Sequence, residues 1–333
     1  MSPWIKRALL LVLCLTLLAA AGLRWYALSP VKLRTDPADF SIKAGSSLRS
    51  ATRQMIESGI ELDAWAFNLL GRVLGKASTI KAGSYQVGSG ITPLALLEKL
   101  SAGEVTQVEI VFIEGWTFRQ MRAALDADAD VRHDSAALSD AEIMARLGAP
   151  GRDPEGLFFP DTYLFGKGTS DLAILKRAYT TMQRQLQAAW QRRAPALPYR
   201  DPYDALIMAS VIEKETGKAS DRARIAGVFV NRLRLGMRLQ TDPSVIYGLG
   251  AKFDGRLHEK DLRADTPHNT YTRPGLPPTP IAMPGEASLV AALHPATTKA
   301  LYFVARGDGS TEFSDTLAEH ERAVAKYLRR RGH

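Results

Sequence analysis

The residues best suited to chemistry are two glutamates at the end of an apolar helix. The stretch 205–212 is apolar or small on every side, which predicts a buried helix, and Glu213 and Glu215 follow it. Side chains at positions i and i+2 project about 200° apart on a helix. Only one of the two carboxylates can therefore face a given cleft, and Glu215 is the one that continues the apolar rows of Val211 and Ile212.

A carboxyl group held against an apolar wall resists ionisation. Its pKa rises toward the range in which it can donate a proton at neutral pH, as a general acid must. The alternative is a solvated helix end, where Glu213 and Glu215 form weak surface pairs with Lys214 and Lys218. The helix pattern taken alone favours this alternative.

Polar loops that follow the helix could line a cleft for sugars. An amphipathic helix predicted at 220–234 leads into two regions rich in Asn, Gln, Thr, Asp, Tyr and Pro. Such side chains supply hydrogen-bond partners for hydroxyl groups and aromatic faces for sugar rings. Each of them also suits an ordinary turn or cap. The candidate substrate-binding residues are Gln240, Thr241, Asp242, Tyr247, Asn269 and Tyr271.

Metal and nucleotide chemistry are not indicated. The six histidines show no HExxH-type spacing, and the single cysteine, Cys14, lies in the N-terminal apolar run. No glycine-rich phosphate loop precedes a predicted helix. We therefore expect no metal and no cofactor.

The N-terminus predicts export and attachment to a membrane. Residues 8–23 form an uncharged apolar run, with Lys6 and Arg7 before it and the aromatic residues Trp25 and Tyr26 just after it. Positive charge before the run predicts that the N-terminus stays inside and that the rest lies outside. The alternative is a cleaved signal peptide, since small residues at 19–21 could serve a peptidase. We favour the anchor, and both interpretations export the bulk of the chain.

Length and composition are those of a globular protein of about two domains. The chain has 333 residues, of which 46% are hydrophobic and 23% charged, and its net charge is +8. Such a charge suits polyanions in general, and part of it is local, at Arg329, Arg330 and Arg331. No nucleic-acid-binding signature accompanies the charge, so we expect no nucleic-acid partner.

One local pattern occurs three times in the first half of the chain. An apolar or alternating stretch runs into Gly-x-Ser/Thr and an amphipathic helix, at 40–56, 85–100 and 108–125. Glycine permits a sharp exit from the strand, and the hydroxyl group can cap the helix. With a further helix predicted at 63–74, the order strand–helix–helix–strand resembles a LysM-like carbohydrate-binding module, although it fits any small α+β unit.

The predicted fold class is α+β, in five segments. Within the last of them, an apolar stripe from Leu172 to Trp190 at spacings of three and four predicts a long helix that faces the core. The segments are a cytoplasmic tip and transmembrane anchor (1–28), a tether (29–39), a LysM-like subdomain (40–125), a connecting segment (126–153) and a catalytic domain (154–333).

Many motifs in one order carry a specific resemblance. They are Met208-Ala-Ser-Val-Ile-Glu-Lys-Glu-Thr216, Val230-Asn-Arg-Leu233, Met237-Arg-Leu-Gln-Thr-Asp-Pro243, Tyr247-Gly248, Asn269-Thr-Tyr271 and Gly275-Leu-Pro-Pro278, preceded by Lys81-Ala-Gly-Ser-Tyr85, Glu114-Gly115 and Phe159-Pro-Asp-Thr-Tyr163. Together they resemble the endolytic murein transglycosylases, the MltG or YceG-like family, from Phe40 to about Leu328.

The resemblance implies cleavage of nascent peptidoglycan within the glycan strand, between N-acetylmuramic acid and N-acetylglucosamine. It implies that Glu215, the second glutamate of the pair, is the single catalytic acid/base and that the product carries a 1,6-anhydro ring. It also implies a protein of the bacterial inner membrane with a periplasmic catalytic part. The expected partners are peptidoglycan strands, the membrane and peptidoglycan synthases.

Two other functions remain open. A hydrolytic muramidase would admit water and use Asp242 as the second carboxylate, since hydrolases of this bond usually carry two. A non-enzymatic scaffold of wall synthesis would bind glycan through residues 40–125 and would not depend on Glu215.

Overall fold

In the computed structural model the described residues are 3–328, so Arg329, Arg330 and Arg331 lie outside them. The chain forms two compact units. The first comprises Met1–Glu109 and Leu164–Thr169, and the second comprises Ile110–Tyr163 and Ser170–His333. Both combine helices with two-stranded pairings, which confirms the predicted α+β class.

The first unit begins with a long apolar helix. Its elements are α1 (Pro3–Leu28), β1 (Lys32–Leu33), β2 (Ala38–Ile42), α2 (Leu48–Glu57), β3 (Ile60–Glu61), α3 (Ala64–Val73), β4 (Gly83–Val87) and α4 (Pro93–Ala102). Strand β2 pairs antiparallel with β4, and β1 pairs antiparallel with β3. Opposite each other on β2 and β4, Phe40 and Tyr85 stack with ring centroids 5.4 Å apart in the core.

Within α1, Trp4–Leu28 is long and apolar enough to cross a membrane, with a mean hydropathy of 2.1. A signal sequence would pass the same test. The predicted apolar helix is therefore present, and its crossing of a membrane remains a proposal.

The three predicted strand–turn–helix units are present. In each one a glycine with positive φ precedes a hydroxyl residue, and that hydroxyl accepts a hydrogen bond from the first turn of the helix. The pairs are Gly45 with Ser47, Gly90 with Thr92 and Gly115 with Thr117. The order β2–α2–α3–β4 agrees with the expected strand–helix–helix–strand order, and the likeness to LysM stays a prediction.

Some segments are more ordered than the sequence pattern suggested. Residues 29–39, expected as a tether, contain β1 and the start of β2, and the Val31 amide donates to the Ile91 carbonyl at 2.9 Å. The expected connecting segment, 126–153, contains a strand and a capped helix. The helix after Thr117 belongs to the second compact unit, where Phe118 stacks on Phe158 at 4.9 Å, whereas the pattern grouped 40–125 together.

The second unit is mainly helical. The elements from residue 107 onward are β5 (Gln107–Val111), α5 (Phe118–Ala127), β6 (Val131–Arg132), α6 (Asp140–Arg146), β7 (Thr162–Gly166), β8 (Thr169–Ser170), α7 (Asp171–Gln191), α8 (Pro202–Glu215), α9 (Ala219–Arg234), α10 (Asp242–Leu249), α11 (Glu259–Arg263), α12 (Glu286–Leu293), β9 (Tyr302–Ala305), β10 (Thr311–Ser314) and α13 (Leu317–Leu328). Strands β5, β7 and β8 are each divided between the two units.

Helix α8 is the centre of the second unit. Every residue from Asp204 to Ile212 is buried, because α7, α9, α10 and α12 all pack against the helix. Asp201 caps its first turn by accepting from the amides of Tyr203 and Asp204, at 2.8 and 3.1 Å. The prediction of a buried helix is confirmed, and the two glutamates stand where it ends.

Candidate active site

The two glutamates of α8 enter different environments, as their spacing predicts. Glu213 lies 3.6 Å from Arg222, and its side chain is 6% exposed. It also accepts the amide of Gly285 at 3.0 Å, at the start of α12. Glu215 points elsewhere, and its Oε2 accepts a hydrogen bond from the Thr241 hydroxyl at 2.7 Å. Glu213 is thus engaged in holding helices together, whereas Glu215 faces the polar loops.

Burial raises the pKa of Glu215 above the ordinary value for a glutamate. The hydrogen bond from Thr241 opposes this rise, the negative charge of Asp242 adds to it, and the positive charge of Arg232 opposes it. The residue as a whole keeps part of its surface exposed. The result is an accessible acid whose charged form is disfavoured.

The partner of Glu215 is fixed by a network of hydroxyl groups and backbone. Thr241 is 2% exposed, and its amide donates to the Thr270 hydroxyl at 3.0 Å. The hydroxyl groups of Ser244 and Thr270 share a hydrogen bond of 2.8 Å. Gln240, just before, has a φ of 52°, and its amide donates to the Thr270 carbonyl at 3.1 Å. These bonds hold the Thr241 hydroxyl in place as a donor to the carboxylate.

A buried arginine also holds the segment before Thr241 in place. Arg232 is 7% exposed, and it donates to the carbonyls of Leu301 and Leu239 at 2.7 and 2.8 Å. A longer contact of 3.4 Å reaches the Gln240 side chain. Burial lowers the pKa of Arg232. Its motif neighbour Asn231 donates to the carbonyls of Thr298 and Ala300, so the 230–233 motif braces the site.

Asp242 and Tyr271 form a pair beside Glu215. The Tyr271 hydroxyl donates to Asp242 Oδ1 at 2.5 Å. Burial raises the pKa of Tyr271, and the hydrogen bond to Asp242 raises it further. The negative charge of Glu215 also raises the pKa of Tyr271. The structure therefore brings Gln240, Thr241, Asp242 and Tyr271 together with Glu215.

A cavity of about 1020 Å³ is lined in part by residues that are adjacent to this group in the sequence. Lys214 and Pro243, the neighbours of Glu215 and Asp242, line it, whereas Glu215 is not among its described lining residues. Its wall combines aromatic, cationic and acidic side chains. They include Arg119, Arg152, Asp153, Glu155, Tyr247, Phe253 and His268. Such a wall suits a large polar ligand.

Comparison with known proteins identifies the family. The model of the YceG-like family matches residues 40–326. The chain belongs to the YceG-like family. The resemblance stated from the motifs is thereby confirmed.

Relatives of this YceG-like protein have been named. The endolytic murein transglycosylase of Bacillus subtilis (strain 168) is 32% identical over 312 residues, which cover 87% of this chain and 84% of that protein. The one from Streptococcus pneumoniae serotype 2 is 25% identical over 283 residues, 75% of this chain and 51% of that protein. A solved yceG-like protein from Listeria monocytogenes is 28% identical, with a TM-score of 0.53, and is matched over 86% of this chain and 99% of that one.

Two predicted binding residues of the YceG-like chain have other contacts. Asn269 is fully buried, and its amide group donates to three backbone carbonyls while its Oδ1 accepts the Tyr271 amide at 2.8 Å. Asn269 therefore shapes its loop. Tyr247 lies on the cavity wall and donates to Glu155 Oε2 at 3.2 Å.

Glu155 was missed in the sequence, although it is a buried acid on the cavity wall of this YceG-like protein. It is 5% exposed, and its Oε1 accepts the Phe118 amide at 3.0 Å. Burial raises the pKa of Glu155 to about 7, although the hydrogen bonds from Phe118 and Tyr247 oppose the shift. The sequence gives little signal for it, because Glu155 follows Arg152, Asp153 and Pro154 and so has the pattern of an exposed loop residue.

Within residues 3–328, no group of three or more histidine, cysteine, aspartate or glutamate side chains could hold a metal ion. The expectation of no cofactor stays a prediction.

Proposed function

We propose that this protein is an endolytic lytic transglycosylase of peptidoglycan, with Glu215 as its single acid/base. The observation that carries the proposal is the poorly hydrated Glu215 carboxyl, held by Thr241 at 2.7 Å. It occurs in a YceG-like chain whose relatives in B. subtilis and S. pneumoniae are named endolytic murein transglycosylases. The proposed substrate is the glycan strand, cut between N-acetylmuramic acid and N-acetylglucosamine.

The proposed reaction has two proton transfers, in which Glu215 first donates a proton and then accepts one from another oxygen of the substrate. Protonated Glu215 donates its proton to the glycosidic oxygen as the bond from that oxygen to C1 of muramic acid breaks. The glutamate then takes the proton of the 6-hydroxyl group, whose oxygen attacks C1 and closes the 1,6-anhydro ring. Glu215 ends protonated, and no water is consumed. The nucleophile is already part of the sugar, so proximity replaces an activated water, and acid/base catalysis of this kind contributes about 10² to 10⁴-fold.

Thr241 gives the two carboxyl oxygens different roles in this scheme. Its hydroxyl donates to Oε2, which leaves Oε1 to carry the transferred proton. The same hydrogen bond stabilises the carboxylate once the proton has left. Thr241 therefore limits the rise in pKa that burial causes and keeps Glu215 strong enough as an acid.

The contact between Asp242 and Tyr271 supports a transglycosylase over a muramidase. A muramidase would need Asp242 as a free base or nucleophile. The Tyr271 hydroxyl engages Asp242 Oδ1 at 2.5 Å, which weakens it in that role. A single acid at Glu215 agrees with closure of an internal ring.

The proposed glycan site includes the 1020 Å³ cavity, which is lined by Lys214, the residue before Glu215 in the sequence. Arg119, Arg152 and Lys214 line it, and their charges suit the carboxylates of the peptide stem attached to muramic acid. Tyr247 adds an aromatic surface. We assign the polymer with its peptides, and not bare glycan alone, as the ligand.

The proposed location is the bacterial inner membrane, with α1 as a single-pass anchor and the rest of the chain in the periplasm. Lys6 and Arg7 precede the apolar helix, as is usual on the cytoplasmic side. The LysM-like module, proposed within 40–125, would bind glycan as well. Peptidoglycan synthases are the proposed protein partners, since the substrate is nascent strand.

The test is digestion of peptidoglycan by the purified full-length protein and three variants, with products read by mass spectrometry. We expect 1,6-anhydro ends from the wild type and from Asp242→Asn, and none from Glu215→Gln. Glu286→Gln, at an exposed position on α12, is the control for a generic Glu to Gln change. Reducing ends in place of anhydro ends, with loss of activity in Asp242→Asn, would show a muramidase. If the wild type releases no products and Glu215→Gln binds peptidoglycan as well as the wild type does, the protein is a non-enzymatic scaffold.

A further inference from the structure

The C-terminal end of α1 is built into the first unit. Ala27 is part of the core of this unit, and Leu23 and Tyr26 pack against that core. Helix α1 packs on α3 and α4. The Tyr26 hydroxyl donates to the Asp63 carbonyl at 3.2 Å, and Asp63 caps α3. Helix α3 is therefore attached to the apolar helix by direct contacts.

The length of the exposed part of α1 sets the depth of this attachment. The described residues from Trp4 to Gly22 are exposed, and packing begins at Leu23. At 1.5 Å per residue, Trp4 to Gly22 spans roughly 28 Å, close to the hydrocarbon thickness of about 30 Å. Tyr26 follows by about one helical turn, roughly 6 Å, which is within the headgroup region of a bilayer.

Helix α3 carries an exposed surface suited to that depth. Trp65 is 75% exposed and Val73 is 63% exposed, and on α1 Trp25, which precedes Tyr26 in the chain, is 74% exposed. Arg72, also exposed, follows Trp65 by two helical turns and so shares its face. Tryptophan is enriched at membrane interfaces, and arginine reaches phosphate groups from them.

We propose that α3 lies against the lipid headgroups of the bilayer that α1 crosses, with Trp65 inserted among them and Arg72 at the phosphates. This placement rests on the proposed membrane anchor. It follows from the attachment of α3 to α1 at Tyr26, since a spanning α1 puts Tyr26, and with it the start of α3 at Asp63, at headgroup depth. The first unit is then seated on the membrane surface itself.

The experiment places a fluorophore at single cysteines of the full-length protein in liposomes. The native Cys14 reports on the anchor, and Trp65→Cys in a Cys14→Ser background reports on α3. Arg53→Cys in the same background is the control, because Arg53 is exposed on α2 in the same unit. Each labelled protein is measured with nitroxides attached either to lipid headgroups or deep in the acyl chains.

We expect headgroup nitroxides to remove most of the fluorescence at position 65 and little at position 53. Acyl-chain nitroxides should quench the label at Cys14. Quenching at Cys14 without quenching at 65 would overturn the seating of α3 while the anchor stands, and another protein or a second copy would then cover Trp65. Absence of quenching at both positions would overturn the anchor as well.

Discussion

Replacing Thr241 by valine tests the role of Glu215 through its pKa. The change keeps the shape of the side chain and removes the 2.7 Å hydrogen bond to Glu215 Oε2. A hydrogen bond to a charged group contributes about 1.5–3 kcal/mol, and one pKa unit corresponds to about 1.4 kcal/mol. Loss of the bond destabilises the carboxylate form, so the pKa of Glu215, already raised by burial, should rise further.

The expected signature is a shift in the pH profile of transglycosylation. The acid acts in its protonated form, so activity is lost as pH rises through the pKa of Glu215. In Thr241→Val the alkaline limb should move to higher pH by about 1–2 units. The plateau should fall by up to about 10- to 100-fold, because a weaker acid protonates the leaving oxygen less well.

The assay measures the initial rate of anhydro-muropeptide release across pH. Thr241→Ser should restore the wild-type limb, because serine keeps the donor. Thr272→Val is the matched control, since Thr272 bonds to Asp265 and the Asn269 carbonyl and not to Glu215. An alkaline limb that stays in place or moves to lower pH would refute the reasoning.

Three further predictions concern the surroundings of the site. Burial raises the pKa of Glu155 from 4.5 to about 7, so its contribution to stability is fully present below pH 4.5 and is lost as pH rises through 7. Urea unfolding of the wild type should show that the free energy of unfolding falls by about 3 kcal/mol between pH 4.5 and 8, and Glu155→Gln should not show this fall. Equal pH dependence in both proteins would contradict the raised pKa. Asn269→Ala should lower the free energy of unfolding by about 1–3 kcal/mol, because buried carbonyls lose their donor; a higher KM at unchanged stability would show a ligand role instead. Arg119→Ala should raise KM for peptidoglycan and leave KM for peptide-free glycan unchanged, and equal effects on both substrates would exclude a peptide contact.

Local rules were enough to predict the helices that carry the site. The helix cap at Asp201 and the apolar pattern of 205–212 follow from short-range preferences, and they gave both the burial of α8 and the separation of Glu213 from Glu215. Similarly, the Gly-x-Ser/Thr units were visible because glycine and hydroxyl caps act within a few residues.

The surroundings of Glu215 depended on contacts that sequence spacing does not encode. Tyr247 and Glu155 lie far apart in the chain and meet only through the packing of the second unit. The pattern of an amphipathic helix predicts that Arg232 lies on the surface. It is buried, however, and donates to the carbonyl of Leu239. Asn269 shows the same limit, since only burial distinguishes a ligand-binding amide from one that braces its own loop.

The double attachment of Glu213 has a consequence for how the reaction begins. Arg222 and the amide of Gly285, the N-cap of α12, both contact the carboxylate two positions before Glu215, so rotation or unwinding of the last turn of α8 would break both contacts. We expect the proton donor to stand in its working position before any sugar arrives, because the contacts of Glu213 hold the helix end and the Thr241 hydroxyl holds the Glu215 carboxyl.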